Sequence, residues 1–224
     1  MHYELDLIMD YQKSCQYSVR LIDKLKSLDT KNVLDFDLIN KAIYWARKYH
    51  GDQKRQTGEP YYTHPLEVAY MVSDYKLKTD IIVTSILHDT IEDTDLTFEI
   101  IMEEFGEKIA NQVIDLTRIK GNGIKISSTE MVERLFTQNK YELLLVKMFD
   151  RIHNMQTLKV KSPQKLKKIL DETINTFLLV ALYLELSEPY ESLKKLCSNI
   201  IFEEDDLNLY LKGTEIFTLP FLNS

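Results

Sequence analysis

The sequence predicts an all-α fold, and three observations carry that prediction. Apolar residues recur three and four apart, as in Leu5, Ile8, Met9, Cys15, Val19, Ile22 and Leu25, the spacing that lines one face of a helix. Glycine and proline number only 6 and 5 in 224 residues, too few for the many turns of an all-β chain. Residues suited to start helices, such as Asp35, Thr79 and Pro163, stand just ahead of the apolar runs. With 44% hydrophobic residues, the chain can fill a packed core.

The elements follow in order. Residues 5–28 read as one long amphipathic helix or two shorter ones. Asp35 or Asp37 caps the next helix, which carries Ile39, Ala42, Ile43, Ala46 and Tyr49 and stops near Gly51. From Gln53 to Thr63 the periodicity gives way to an irregular loop, and His64-Pro65 restarts a helix with proline in its tolerated first turn, running to about Tyr75. Thr79 or Asp80 caps a helix read through IIVTSILHDTIEDT. Another spans about Phe98 to Phe105, is broken or bent at Gly106 and continues to Leu116. Residues 118–127 hold Gly-Asn-Gly between isoleucines, which suits a small β-hairpin or a loop. Helices resume at Glu130 to Phe136, Tyr141 to Thr157, Pro163 to Leu186 and Tyr190 to Phe202, with Pro163 and Pro189 at joints.

Composition narrows the function. A formal net charge of −7 argues against DNA or RNA as partner, because broad nucleic-acid affinity comes from many cations that displace counterions. A small phosphorylated ligand needs only a local cluster such as Arg47-Lys48 with Lys54-Arg55, which also reads as a solvated helix end. Cys15 and Cys197 form no CxxC pattern, so a reducing, cytoplasmic setting is expected. The opening Met1-His2-Tyr3-Glu4 lacks a signal-peptide pattern, and the longest apolar run, Phe177 to Leu184, falls short of the roughly 20 residues that span a bilayer. No membrane partner is expected.

Two segments can carry chemistry. In His88-Asp89-Thr90-Ile91-Glu92-Asp93, a continuous helix would put His88 with Glu92, and Asp89 with Asp93, on shared faces. One imidazole and three carboxylates then crowd together, an arrangement a divalent cation relieves. The plainer reading is an acidic helix end. Inside a later helix, Lys147-Met148-Phe149-Asp150-Arg151-Ile152-His153-Asn154 follows the apolar run Leu143 to Val146 and sets Asp150 one turn from Asn154. A carboxylate behind a buried segment must be paired or metal-bound. A surface pair of Asp150 with Lys147 or Arg151 is the plainer alternative, and His153 lies on another face.

Together with His64, these pieces give the order H…HD…D, the pattern of the HD phosphohydrolases. The longer segments RQTGEPYYTHP (55–65), HDTIEDT (88–94), FGEKIANQVIDLT (105–117) and KMFDRIHNMQTL (147–158) closely resemble the hydrolase domain of the RelA/SpoT family. LDETINTFLLVALYLEL is similar to the helix that closes that domain. The resemblance runs from about Phe36 to Cys197. It implies a helical bundle with an N-terminal helical extension over 1–35, a hydrolase domain over 36–202 and a tail over 203–224, with no room for the synthetase and regulatory domains of large family members.

The family hydrolyses guanosine tetra- and pentaphosphate with a manganese ion, removing the 3′-pyrophosphate. By matching motifs, His64, His88, Asp89 and Asp150 would be the metal ligands, and Glu92 and Asp93 the catalytic pair. Arg55, Gln56 and Thr57 in the loop, with Lys147, Asn154 and Thr157 in the later helix, would meet the nucleotide. Two positions depart from the family's basic residues, Gln56 and Gln156, which lowers the positive charge available to a highly charged substrate. Two other readings follow from the same residues: an HD phosphohydrolase acting on NADPH or a deoxynucleotide, and a catalytically weak nucleotide-binding module.

Overall fold

Helix is the only regular structure among the described residues of the computed structural model, which are 14–118, 124–158 and 162–203. The all-α expectation holds for them; an isolated antiparallel bridge joins Lys54 to Pro60 without forming a sheet. The start of the expected opening helix, the centre of the expected hairpin at 118–127 and the tail beyond 203 lie outside the described residues. The chain divides into two compact units, Met1–Lys125 and Ile126–Ser224.

The first unit contains α1 (Gln16–Leu28), α2 (Phe36–His50), α3 (Thr63–Val72), α4 (Thr79–Leu87), the single turn α5 (Thr90–Asp93), α6 (Phe98–Phe105) and α7 (Glu107–Leu116). Local chemistry explains several boundaries. Asp35 caps α2 by accepting a hydrogen bond from the Leu38 amide at 2.9 Å, and Gly51 ends that helix with φ 48°. Gly106, with φ 85°, separates α6 from α7. Neither Thr79 nor Asp80 caps α4, contrary to the sequence reading, because Lys78 holds that position and both are helical. Their side chains serve tertiary contacts instead: Thr79 accepts from the Asp35 amide at 2.9 Å, and Asp80 pairs with Lys108 at 2.7 Å and Gln112 at 3.0 Å. The helix after His64 ends at Val72, short of Tyr75.

Helix α4 is the axis of this unit. It packs against α2, α3 and α7, and every residue from Ile81 to Leu87 is buried. A helix that is apolar all round belongs inside, and its two hydroxyls are satisfied there: Thr84 donates to Gln112 Oε1 and Ser85 to the Ile81 carbonyl, both at 2.7 Å. The helix does not run on through Asp93 as the periodicity implied. It ends at Leu87, and α5 begins after His88 and Asp89.

The second unit contains α8 (Ser128–Thr137), α9 (Tyr141–Gln156), α10 (Pro163–Glu172), a π turn at Thr173–Phe177, α11 (Leu178–Tyr183) and α12 (Ser187–Glu203). The single helix expected over Pro163 to Leu186 is thus interrupted by the wider turn and stops at Tyr183. Around that turn Thr173 donates to the Ile169 carbonyl at 2.6 Å, Thr176 pairs with Thr129 at 3.1 Å, and Phe177 is covered by the Arg151 guanidinium at 4.4 Å. Arg151 also pairs with Glu172 at 2.9 Å, which fixes the rotation of α9 about its axis and hence the face that Asp150 occupies.

Ile82 is fully buried in α4, so Ile82→Ala is expected to lower unfolding free energy by about 2–5 kcal/mol. Exposed Ile124 changed to Ala should move it by no more than about 0.5 kcal/mol. Chemical denaturation of the two variants checks both values.

Candidate metal centre

The end of α4 sets the geometry. His88 Nδ1 lies 2.8 Å from the Ser85 carbonyl; a carbonyl only accepts, so Nδ1 carries the proton and donates. That bond turns Nε2 toward Asp89, whose Oδ1 is 3.0 Å away. Oδ2 of the same carboxylate lies 3.4 Å from His64 Nε2. His64 enters from the first turn of α3, with Pro65 beside it, and its ring stands 5.4 Å from that of His88. Both imidazoles are buried. Burial pushes the Asp89 carboxyl up, but His88 and His64 outweigh it and hold the group well below the ordinary carboxylate value. Two ring nitrogens and a carboxylate, one ring fixed by a backbone carbonyl behind it, form a donor set that fits a divalent cation.

The break after Leu87 alters the expected grouping of side chains. The Leu87 carbonyl receives the Thr90 hydroxyl at 2.7 Å in place of a helical amide, and α5 presents Glu92 and Asp93 to different partners. Glu92 is nearly covered, 7% exposed, and accepts from the Arg118 amide at 3.2 Å, from Nε at 3.4 Å and from Nη2 at 2.7 Å. Lys125 also pairs with it. Burial acts to raise the Glu92 carboxyl, but Lys125 and Arg118 prevail and keep it below its ordinary value. Asp93 differs. Burial raises its carboxyl, opposed by the Tyr61 hydroxyl and reinforced by Asp89 and Glu92. Tyr61 donates to Asp93 Oδ2 at 2.7 Å, and the Gln53 amide donates to the Asp93 carbonyl at 2.8 Å.

The loop expected to meet a nucleotide is a tight reversal in the same unit. The Gly58 amide donates to the Arg55 carbonyl and the Arg55 amide to the Glu59 carbonyl, both at 2.9 Å. Gly58, with φ 93°, supplies the left-handed step. Gln56 is exposed at the tip and Arg55 half-buried, while the Thr57 hydroxyl is buried with no hydrogen-bond partner among the described residues.

The second motif lies in the other unit, on α9. Lys147 Nζ donates to Asp150 Oδ2 and Asn154 Nδ2 to Oδ1, each at 2.5 Å. The Lys147–Asp150 pair is therefore real but buried, at 7% and 11% exposure, not a surface pair. Asn154 and Gln156 are exposed, and Thr157 caps the helix end with its hydroxyl on the His153 carbonyl at 2.8 Å.

Sequence reasoning did not single out Arg118, Lys125, Tyr61, Gln53 or Ser85. Arg118 and Tyr61 stand inside or beside the family-like segments, and their position there was the available signal; Lys125 had none.

Because the Glu92 carboxyl is held low, its pairing stabilises the fold above the unfolded value, near pH 4.5, and that stabilisation is lost as pH falls through the lower folded value. Glu92→Gln should therefore be less stable than the parent at neutral pH, and the gap should close at acid pH. Denaturation midpoints measured across pH 3 to 7 test the sign.

Comparison with known proteins agrees with this reading. The family model described as HD domain matches residues 42–184. The chain is 40% identical over 141 residues to guanosine-3′,5′-bis(diphosphate) 3′-pyrophosphohydrolase of Aquifex aeolicus, covering 62% of this chain and 20% of that protein. It is 36% identical over 194 residues to GTP pyrophosphokinase of Myxococcus xanthus, covering 83% of this chain and 24% of the other. The chain thus matches about a fifth to a quarter of the length of these relatives. A solved structure titled as a metazoan ortholog of SpoT that hydrolyzes ppGpp aligns over 79% of this chain and 96% of its own, at 18% identity and a TM-score of 0.48. The likeness to RelA/SpoT proteins read from the motifs reappears in these relatives, and the matched model, covering more than half of the sequence, makes the chain a member of the HD-domain family.

Proposed function

We propose that the chain hydrolyses guanosine tetra- and pentaphosphate, releasing the 3′-pyrophosphate and leaving GDP or GTP. The observation that carries this reading is the cluster of His64, His88 and Asp89 beside two adjacent carboxyls, Glu92 and Asp93, driven in opposite directions. Relatives bearing the names of a guanosine bis(diphosphate) pyrophosphohydrolase and a GTP pyrophosphokinase support the substrate class. His64, His88 and Asp89, with Asp150 assigned from its motif, would hold manganese, and when bound the cation lowers the pKa of a water and neutralises charge on the diphosphate.

The remaining work falls to the chain's own groups. Glu92, kept ionised by Arg118 and Lys125, accepts a proton from the attacking water or orients it. That water attacks the phosphorus attached to the ribose 3′-oxygen, and the bond from phosphorus to that oxygen breaks. Asp93, whose carboxyl is raised, delivers a proton to the departing 3′-oxygen. Neighbouring carboxyls with opposed environments are the usual sign of separated base and acid roles. Arg55, Gln56 and Thr57 receive the nucleotide from the loop, and Asn154 and Thr157 from α9. Lys147, assigned to substrate from its motif, reaches the nucleotide only by leaving Asp150. The cytoplasm is the proposed location. Exposed, uncharged Gln56 and Gln156 favour a second reading, the same chemistry on a less charged nucleotide such as NADPH or a deoxynucleotide.

Purified protein with added manganese should release pyrophosphate and GDP from guanosine tetraphosphate, and Asp89→Ala should not. Glu92→Gln is expected to lose on the order of 10²-fold in kcat. Faster turnover of NADPH or a deoxynucleotide would transfer the assignment to the second reading. Asp150→Ala should abolish turnover and reduce bound manganese; an unchanged metal content by elemental analysis would sink its assignment as a ligand.

A further inference from the structure

We propose that Tyr61 is a positioning residue for Asp93, binding the acid to the same loop that receives the nucleotide; this rests on the hydrolase reading above. Asp93 is the last residue of a four-residue helix, and the chain becomes extended immediately afterwards, Thr94 having φ −137° and ψ −179°. One turn of helix gives a side chain little support of its own. The support comes from the two ends of the 53–61 loop. At one end the Tyr61 hydroxyl holds Asp93 Oδ2 at 2.7 Å, and at the other the Gln53 amide holds the Asp93 carbonyl at 2.8 Å.

Both supports are themselves braced. The Tyr61 ring stacks on His50, with centroids 4.8 Å apart and planes 26° apart, and meets His64 edge-on at 6.3 Å. The Tyr61 amide donates to the Gln53 carbonyl at 2.8 Å, closing the loop. Gln53 has one usable orientation: its nitrogen faces the Asp93 carbonyl, so its oxygen faces His50 Nδ1, 2.9 Å away. His50 is 1% exposed, so it is a fixed post against which both loop ends are set. With Oδ2 engaged by Tyr61, Oδ1 is the Asp93 oxygen left to meet the substrate. Arg55 to Thr57 lie between the two supports, so nucleotide contact and acid placement share one rigid loop.

Tyr61→Phe removes the hydroxyl and keeps the ring, and Gln53→Met removes the amide at similar length. For the full chain with saturating manganese and guanosine tetraphosphate, Tyr61→Phe should lower kcat about 10-fold, the scale of one hydrogen bond to a charged group. KM should stay within about twofold and melting temperature and manganese content should be unchanged. Gln53→Met should lower kcat in the same direction. An unchanged kcat overturns the proposal, and so does a raised KM with kcat retained, which would place Tyr61 in nucleotide binding. Loss of manganese or of the folded state by Tyr61→Phe also overturns it in favour of a purely structural role. A parent that does not turn over this nucleotide defeats the hydrolase reading alone; crystal structures of parent and Tyr61→Phe then decide, with release of the Asp93 side chain supporting the proposal and an unmoved side chain overturning it.

Discussion

A helix buried on all sides has to end somewhere, and its last carbonyls must be paired without water. In this protein the ending is made by side chains. His88 takes the Ser85 carbonyl and Thr90 takes the Leu87 carbonyl, and the first of these bonds also selects the His88 tautomer. Satisfying the backbone and presenting a metal-facing nitrogen are thus one event. The other end of α4 is tied by Asp80 to Lys108 and Gln112 on α7, so the helix that aims the donors is held at both extremities. Asp89 follows directly, between two imidazoles that make its ionised form favourable despite burial.

The short turn after this break solves an electrostatic problem. Three carboxyls within five residues would repel one another if they shared a face. Consecutive residues on a helix diverge by about 100°, and the turn uses that divergence: Glu92 points to two cations and Asp93 to a phenol and an amide. Neutralisation is supplied to one carboxyl and withheld from the other, which is how neighbours of similar chemistry come to hold protons differently.

Helices with strong periodicity were legible in the sequence because burial of one stripe governs them, as were Asp35 and Gly106, whose roles depend on adjacent residues. The partnership of Asp150 with Lys147 and Asn154 was legible for the same reason, since all three lie within two turns of α9. The break at His88 was not, because IIVTSILHDTIEDT keeps helical spacing and only the hydrogen bonds of His88 and Thr90 interrupt it. Thr79 and Asp80 have the composition of caps but are claimed by distant groups, Asp35, Lys108 and Gln112. The same limit hid Tyr61, Arg118 and Lys125. Their importance lies in contacts reaching across 26 residues or more, and nothing local announces a contact of that range.

The π turn at Thr173–Phe177 gives the second unit an unusual sensitivity to chain length. A π turn accommodates a residue more than the α-helix would over the same path, and Thr176 and Phe177 reach Thr129 and Arg151 with that residue in place. Deleting one position, Asn175 for example, would let the backbone relax into a regular helix while rotating everything downstream by about 100°. Val180 and Ala181, now buried, would swing away from the core in a helix that had become more regular. In this segment the number of residues is as firmly specified as their identity, and a family alignment should show substitutions here far more readily than gaps.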